Sequence, residues 1–333
     1  MSAREGAIEA KLHAAPRFAL ALALLLATPV ALAAAAQTRY PDRPIRFIVA
    51  FPPGASTDIV ARIVSARLAE SWGQNVVVEN RPGAGGNIGA QTAVRANPDG
   101  YTILMNSSAI AVNVSLYKNP GYRISDFIAV LQGPTTPNLI TVHPGVKATT
   151  LKELIALARS TPMNYGSLGT GTTPHLDMEL LFRSAAKVDI THVPYSPAAA
   201  VSAVVGNQVP IGSTSMPPAV PHVKAGTVRP IAVTTAKRSP ILPATPTVAE
   251  SGFPGFDDHT WFSFFAPAGT PPAIVNKLNA EISRILQMPD VKLRLDVLSL
   301  EFTPNTPAEF TARLENEVQR YAKMVKASGA KAD

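Results

Sequence analysis

Residues 164–179 read N-Y-G-S-L-G-T-G-T-T-P-H-L-D-M-E. A short apolar run leads in, a Gly/Ser/Thr loop follows, and a helical pattern opens at Pro174. Proline suits the first helical turn, where its missing N–H would have had no acceptor, and Thr173 before it is the expected cap. Gly166, Gly169 and Gly171 allow a tight turn and a close approach to a ligand, and Ser167, Thr170, Thr172 and Thr173 add hydroxyls. A junction of this kind ends in a helix N-terminus, whose free N–H donors and positive dipole end suit a carboxylate or another oxyanion. The same pattern also serves as an ordinary strand–turn–helix connection in α/β folds.

The alternation extends in both directions. Upstream, a strand run at 45–51 precedes the loop P-P-G-A-S-T-D at 52–58 and a helical pattern at 59–72. A strand at 76–79, a second Gly-rich loop at 80–86, a helix at 87–96 and a strand at 101–106 follow. This β-α-β-α-β order implies a parallel sheet covered by helices. The pattern restarts after the P-T-T-P at 134–137. A strand at 139–143, a capping box at Thr150 with Glu153, strands at 190–193, 209–213 and 229–235, and helices opened by Ser196-Pro197 and at 217–225 form a second unit. A long Pro-rich loop covers 237–254. A strand at 261–266, a helix from Thr270-Pro271 to 286 and a final helix behind the capping box at Thr306 and Glu309 complete the chain. The strands near Leu139 and Trp261 are natural crossovers, so the first unit is expected to be discontinuous. The reading is 37–137 plus 262–333 for domain 1 and 138–261 for domain 2, with the ligand in the cleft between them.

Composition narrows the classes. The chain of 333 residues is 46% hydrophobic and 16% charged, which fits two globular domains with substantial cores. It has no cysteine, which excludes disulfides, thiolate metal sites and a cysteine nucleophile. Arg4, Lys11 and Arg17 precede an apolar run at 18–32, followed by the small-residue triplets A-L-A at 31–33 and A-A-A at 34–36. Residues 1–36 therefore read as an export signal cleaved near Ala36, the run being short for a membrane span. The formal charge of +7 becomes +6 without the leader's three basic and two acidic residues. The basic residues are scattered, with no run interleaved with aromatics, so nucleic acid is not an expected partner.

Motifs for chemistry are missing. The G-A-G at 83–85 has Ile88 where a dinucleotide fingerprint needs its third glycine, and no Gly-Lys-Ser/Thr follows. Ser167 lacks the glycine two residues earlier that a nucleophile elbow needs, since Tyr165 stands there. The six histidines include neither H-x-x-x-H nor H-E-x-x-H, so no metal is expected. His175 either hydrogen-bonds locally or touches the ligand. Asp58 either complements a helix dipole or contacts a ligand amine or water. Phe51 and Tyr195 either wall a cleft or belong to the core, and Thr214 and Ser215 end a strand that could face the same cleft. The residues read as binding without catalysis and without a cofactor.

With these residues laid out, the chain resembles the Bug-type receptors, the periplasmic solute-binding family linked to tripartite tricarboxylate transporters. The matching stretches are Y-P-D-R-P-I at 40–45, F-P-P-G at 51–54 through Asp58, V-E-N-R-P-G-A-G-G-N at 78–87 and P-D-G-Y-T at 98–102. They continue with N-Y-G-S at 164–167 through His175-Leu176, H-V-P-Y at 192–195, I-A-V-T at 231–234 and P-T-V-A-E-S-G at 246–252. The resemblance implies a two-domain α/β periplasmic-binding-protein (flytrap) fold, type II-like. It implies that the loops 51–58 and 167–175 grip a carboxylate from opposite sides. The implied ligand-binding set is Phe51, Pro53, Gly54, Ala55, Ser56, Asp58, Ser107, Ser167, Gly169, Thr170, Gly171, Thr172, His175, Tyr195 and Thr214. The implied partners are a small organic carboxylate and, transiently, membrane permease subunits or a sensor kinase, with a monomeric receptor in the periplasm. The chain departs from the family's pattern at Ala55, where a second glycine is usual, and at Ser196-Pro197, where Lys-Gly is frequent. Pro210 and Thr214 stand where aspartates are common. These changes suit a less charged or bulkier ligand. The competing readings are a loaded periplasmic sensor or interaction module without its own permease, and an exported hydrolase.

Overall fold

A computed structural model describes residues 40–332, with the side chain of residue 198 left aside; the leader expected at 1–36 lies outside the described residues. Nine strands form the sheet framework: β1 (Ile45–Val49), β2 (Val76–Asn80), β3 (Thr102–Ser107), β4 (Phe127–Val142), β5 (Asn164–Ser167), β6 (Thr191–Pro194), β7 (Ile211–Ser215), β8 (Arg229–Val233) and β9 (His259–Pro267). Their order is β2-β1-β3-β9-β4-β7-β5-β6, with β8 also paired to β4. β1 runs parallel to β2 and β3, and β5 runs parallel to β6 and β7. The two parallel units are joined by β4 and β9, which pair antiparallel from Phe127↔Pro267 to Pro137↔His259.

The connecting helices are α1 (Ser56–Trp72), α2 (Asn87–Val94), α3 (Ala109–Leu116), α4 (Leu151–Ser160), α5 (Thr173–Met178), α6 (Pro197–Val205), α7 (Met216–Lys224), α8 (Pro272–Leu286), α9 (Pro289–Val297) and α10 (Pro307–Ser328). A π-helical stretch, Glu179–Ala185, continues α5. The expected capping boxes are present. Thr150 accepts from the Glu153 N–H and Thr306 from the Glu309 N–H, with each glutamate bonding back. Apolar faces build one core around Leu104, Trp261, Phe265, Phe310 and Tyr321 and another around Ile140, Leu154, Tyr165, Phe182 and Ile211. Of the last helices, α8 packs on α1 and β4, and α10 packs on α3, β4 and the π-helical stretch Glu179–Ala185.

Three local expectations need correction. The break expected at 134–137 is absent, because β4 is one strand of 16 residues that passes from one unit to the other. A register shift against β9 between Gln132 and Thr135 takes Pro134 out of the ladder, so its missing N–H costs nothing there. Helix α3, A-I-A-V-N-V-S-L, was not expected because it is buried on most sides and carries no polar stripe to reveal its period. The cap of α5 is Thr172 instead of Thr173. It makes no side-chain bond to the helix, and its Oγ1 donates to the Gly169 carbonyl at 2.7 Å.

Candidate binding site

Five helices begin around one small cavity of about 20 Å³. Ala55, Ser56 and Thr57 bring the start of α1, Ser107 the start of α3, and Thr172, Thr173 and Pro174 the start of α5. Pro197 brings α6, and Ser215 and Pro218 bring α7; Phe51, Leu168, Thr260 and Phe262 close the walls. None of the five N-cap residues, Ala55, Ser108, Thr172, Ser196 and Ser215, makes a side-chain bond to its own helix. The first N–H groups of α1, on Ser56, Thr57 and Asp58, precede any intrahelical acceptor. Proline in the first turns of α5, α6 and α7 removes donors there, so those helices contribute their dipole ends and the hydroxyls beside them. Among the described residues, no Asp, Glu, Lys, Arg or His lines the cavity. Its positive character is therefore a property of the backbone.

The loops of the two units touch around this cavity. Ser56 Oγ lies 3.0 Å from Ser215 Oγ, and Ser108 Oγ lies 3.3 Å from Thr173 Oγ1. The Tyr117 hydroxyl donates to the Thr170 carbonyl at 3.3 Å. A second, wider chamber of about 450 Å³ adjoins the first and shares Phe51, Leu168 and Pro197 with it. Gly83–Gly86, Tyr117, Gly169, Thr170, Pro194, Tyr195 and Ser196 contribute to its wall.

Of the residues expected to bind, Phe51, Ala55, Ser56, Ser107 and Thr172 line the inner cavity, and Phe51, Gly169, Thr170 and Tyr195 line the outer one. The structure does not bring Pro53, Gly54, Asp58, Ser167, Gly171, His175 or Thr214 to either lining. Asp58 is 2% exposed and organises the first loop. Its Oδ2 accepts from the Gly54 N–H at 3.0 Å and from Arg62 Nε at 2.9 Å, and its Oδ1 accepts from Asn80 Nδ2 at 2.9 Å. Burial disfavours the charge, but the bonds from Arg62, Gly54 and Asn80 outweigh it and hold the carboxyl below its usual range. Thr214 is buried in β7, with no partner for its Oγ1 among the described residues.

Ser167, Gly171 and His175 support the second loop from within. Ser167 is fully buried, and its Oγ lies 2.7 Å from His192 Nε2 and accepts from the Gly169 N–H at 3.2 Å. The rings of His175 and His192 are 4.1 Å apart, and Tyr165 stacks on His192 at 5.0 Å. His175 Nδ1 accepts from the Gly171 N–H at 3.4 Å. Burial, then the neighbouring His192, pushes His175 down to about 3, and burial alone pushes His192 down to about 4. A serine beside a histidine has the outline of a nucleophile and its base. Here the serine is inaccessible, and no carboxylate bonds the His192 ring among the described residues.

Both histidines are neutral in the fold and protonate near 6.5 when it unfolds. Their contribution to stability is complete above pH 6.5 and is lost as pH falls toward 4, at up to about 1.4 kcal/mol per pH unit for each. Urea unfolding at pH 7.5, 6 and 5 is expected to show this decline. His192→Gln, which keeps a polar partner for Ser167, should reduce the slope between pH 6 and 5. An unchanged slope would remove His192 from this account.

A polar chain leaves the inner cavity through Thr173 and Thr260, whose hydroxyls are 2.7 Å apart. Thr260 Oγ1 donates to Asn138 Oδ1 at 2.7 Å, and Asn138 Nδ2 donates to Asp177 Oδ2 at 2.7 Å. Asp177 is fully buried beside Asp258. Burial first, and then the charge of Asp258, hold its carboxyl well above the usual range, so it is protonated and donates to Asp258. Asp258 Oδ1 accepts from Arg320 Nη2 at 2.6 Å and from the Tyr321 hydroxyl at 3.3 Å.

Several lining residues carry a sequence signal that the expected set did not use. Thr173-Pro174, Ser196-Pro197 and Ser215-Met216-Pro217 each place a hydroxyl just before the proline of a helix start. Thr260, Phe262 and Tyr117 carry no such mark. They reach the site only because β9 and α3 pass beside it.

Two α/β units joined by crossing strands, with a cavity between the loops at their junction, define a periplasmic-binding-protein fold. The chain belongs to the tripartite tricarboxylate transporter receptor family, whose profile, "Tripartite tricarboxylate transporter family receptor", matches residues 60–330. It is 35% identical over 321 residues to the protein BugT of Bordetella pertussis, covering 95% of this chain and 98% of that one. Among solved structures it is similar to R. palustris Rpa4515 with adipate, at TM-score 0.84 and 35% identity, covering 88% of this chain and 99% of the other. It is also similar to MatC from Rhodopseudomonas palustris with bound malate, at TM-score 0.81 and 32% identity, covering 86% and 100%. A third similar structure is that of the periplasmic binding protein BugD, at TM-score 0.84 and 33% identity, covering 88% of this chain and 100% of the other.

Proposed function

We propose that this receptor captures a small organic carboxylate in the inner cavity and delivers it to a tripartite tricarboxylate-type permease. One observation carries the reading: five helix starts whose N-cap side chains make no bond to the helix surround a cavity with no charged side chain among the described residues. Each helix start holds roughly half a positive charge, so an anion there is stabilised and a cation is not. The adipate and malate carried by the neighbours support the same ligand class. The lobes are taken as 37–137 plus 262–333 and 138–261, moving about β4 and β9 as a monomer. The leader 1–36 is taken as a periplasmic export signal. A receptor that reports to a sensor instead of a permease is the second reading, and co-purification with membrane components would separate the two.

The test is a thermal-shift screen of the chain from Gln37 against mono-, di- and tricarboxylates. A ligand at 100 times its Kd is expected to add about 2.7 kcal/mol and to raise the melting point by several degrees. Ser215→Asp is the matching variant. Aspartate is a good N-cap, so the ligand-free protein should melt no lower than the wild type. The added negative charge should abolish the carboxylate shift. A full shift in Ser215→Asp would show that the anion lies elsewhere.

A further inference from the structure

The inner cavity offers an anion one place to sit. The outer chamber offers a second anion nothing comparable. Among the described residues no Lys, Arg or His lines it, and its wall is built from Phe51, Tyr117, Tyr195, prolines and the Gly83–Gly86 turn. Two helices begin beside it: α6 opens on Pro197, which has no N–H, and its Ala199 N–H goes to the Ser196 carbonyl at 2.9 Å, while the turn before α2 has committed two of its donors. The N–H groups of Gly86 and Ile88 both go to the Gly83 carbonyl, at 3.0 and 3.5 Å, and the Asn87 side chain is buried against Asn113 Nδ2 at 2.8 Å. A second carboxylate placed there would lose solvation without gaining a cation, and such a group costs several kcal/mol unless it is paired.

An uncharged body fits the same chamber well. Phe51 is shared by both chambers, so it flanks the passage from one to the other. Tyr117 is held in place by its bond to the Thr170 carbonyl, and the Tyr195 ring packs over Gly166 with no room for a side chain between them. Aromatic walls held this way favour a flat apolar group by area burial and ring contact. The outer chamber, at about 450 Å³, falls within the roughly 300–1,000 Å³ typical of small-molecule sites, and the inner one, at about 20 Å³, has room for only a small group.

We infer that the ligand is a monocarboxylate whose uncharged, ring-bearing body occupies the outer chamber against Phe51, Tyr117 and Tyr195. This rests on the carboxylate reading of the inner cavity. Calorimetric titration of the chain from Gln37 with phenylacetate, benzoate, adipate, malate and neutral phenylacetamide tests both. Phenylacetate or benzoate is expected to bind at least tenfold more tightly than adipate or malate, and phenylacetamide at least a hundredfold more weakly than phenylacetate. Tyr195→Ala is expected to weaken phenylacetate tenfold or more and to leave malate within twofold. Thr170→Arg, which supplies the missing cation, is expected to strengthen adipate at least tenfold.

Adipate or malate binding as tightly as the aromatic acids would overturn the ring-bearing class while leaving the carboxylate reading intact. Phenylacetamide binding as well as phenylacetate, or no binding by any acid, would overturn the carboxylate reading and this inference with it.

Discussion

Asp258→Ala is expected to lower the unfolding free energy by about 3–5 kcal/mol, among the largest losses any single side chain here should give. Asp258 is 1% exposed and joins the Arg320 guanidinium, the Tyr321 hydroxyl and the Asp177 carboxyl. Removing it leaves Glu317, at 2.8 Å, as the remaining carboxylate on Arg320 among the described residues, and leaves the protonated Asp177 with a donor and no acceptor. The loss should appear as a shifted urea midpoint with an unchanged slope.

Asp177→Asn makes the opposite prediction. The amide keeps an acceptor for Asn138 and a donor for Asp258 without having to hold a proton. Because the folded Asp177 has a raised pKa, its contribution is complete below the unfolded value of 3.8 and is lost as pH rises from there through the folded value. The amide that replaces it does not titrate. The variant should therefore match the wild type near pH 4 and exceed it by about 1 kcal/mol or more at pH 7.5. Equal stability at both pH values would mean that Asp177 is not protonated in the fold.

The second large effect is on ligand affinity. Gly171→Ala is expected to weaken carboxylate binding by about 10- to 100-fold while lowering the ligand-free melting point by only a few degrees. Gly171 has φ +88°, a conformation that costs a side-chain-bearing residue about 1 kcal/mol. Its added Cβ would also collide with Asn113 Oδ1, on a helix of the other unit. Across the same contact, a Cβ on Gly85 would collide with the Thr170 carbonyl. The clash falls on the arrangement in which the two loops touch and spares one in which they part. A penalty of about 1.4–2.7 kcal/mol on the closed form alone reduces affinity by that tenfold to hundredfold. Gly73→Ala is the control: φ is +64° at the end of α1, and a Cβ there meets nothing within 4 Å. It should cost stability and leave affinity unchanged. Equal affinities for wild type and Gly171→Ala would show that this contact is not part of the bound state.

Most of the framework was legible because its signals are local. The capping boxes at Thr150 and Thr306 name their helices outright, and the alternation of apolar runs with Gly/Ser/Pro loops gives the parallel units. What escaped lacks a local signature. Helix α3 is apolar nearly all round, so it shows no period, and the length of β4 is hidden by Pro134 and Pro137, of which a register shift takes Pro134 out of the ladder. The site followed the same division. Ala55, Ser56 and Thr172 sit at helix starts that the sequence marks. Ser167 and His175 have the right composition for ligand contact, but the packing of Tyr165, His192 and His175 turns them inward, and no spacing rule carries that information. Thr260 and Phe262 come to the cavity from a strand almost a hundred residues further on.

Strand β9 lies between β3 and β4 in the sheet, although it is the last of the nine to be made. A growing chain emerging from the ribosome cannot assemble its first sheet in the order of synthesis. β3 waits for a neighbour that appears only at residue 259, and the cover supplied by α10 waits for residue 307. Such distant pairing slows folding relative to a fold of local contacts. The nascent chain is left with an open seam until nearly all of it is available.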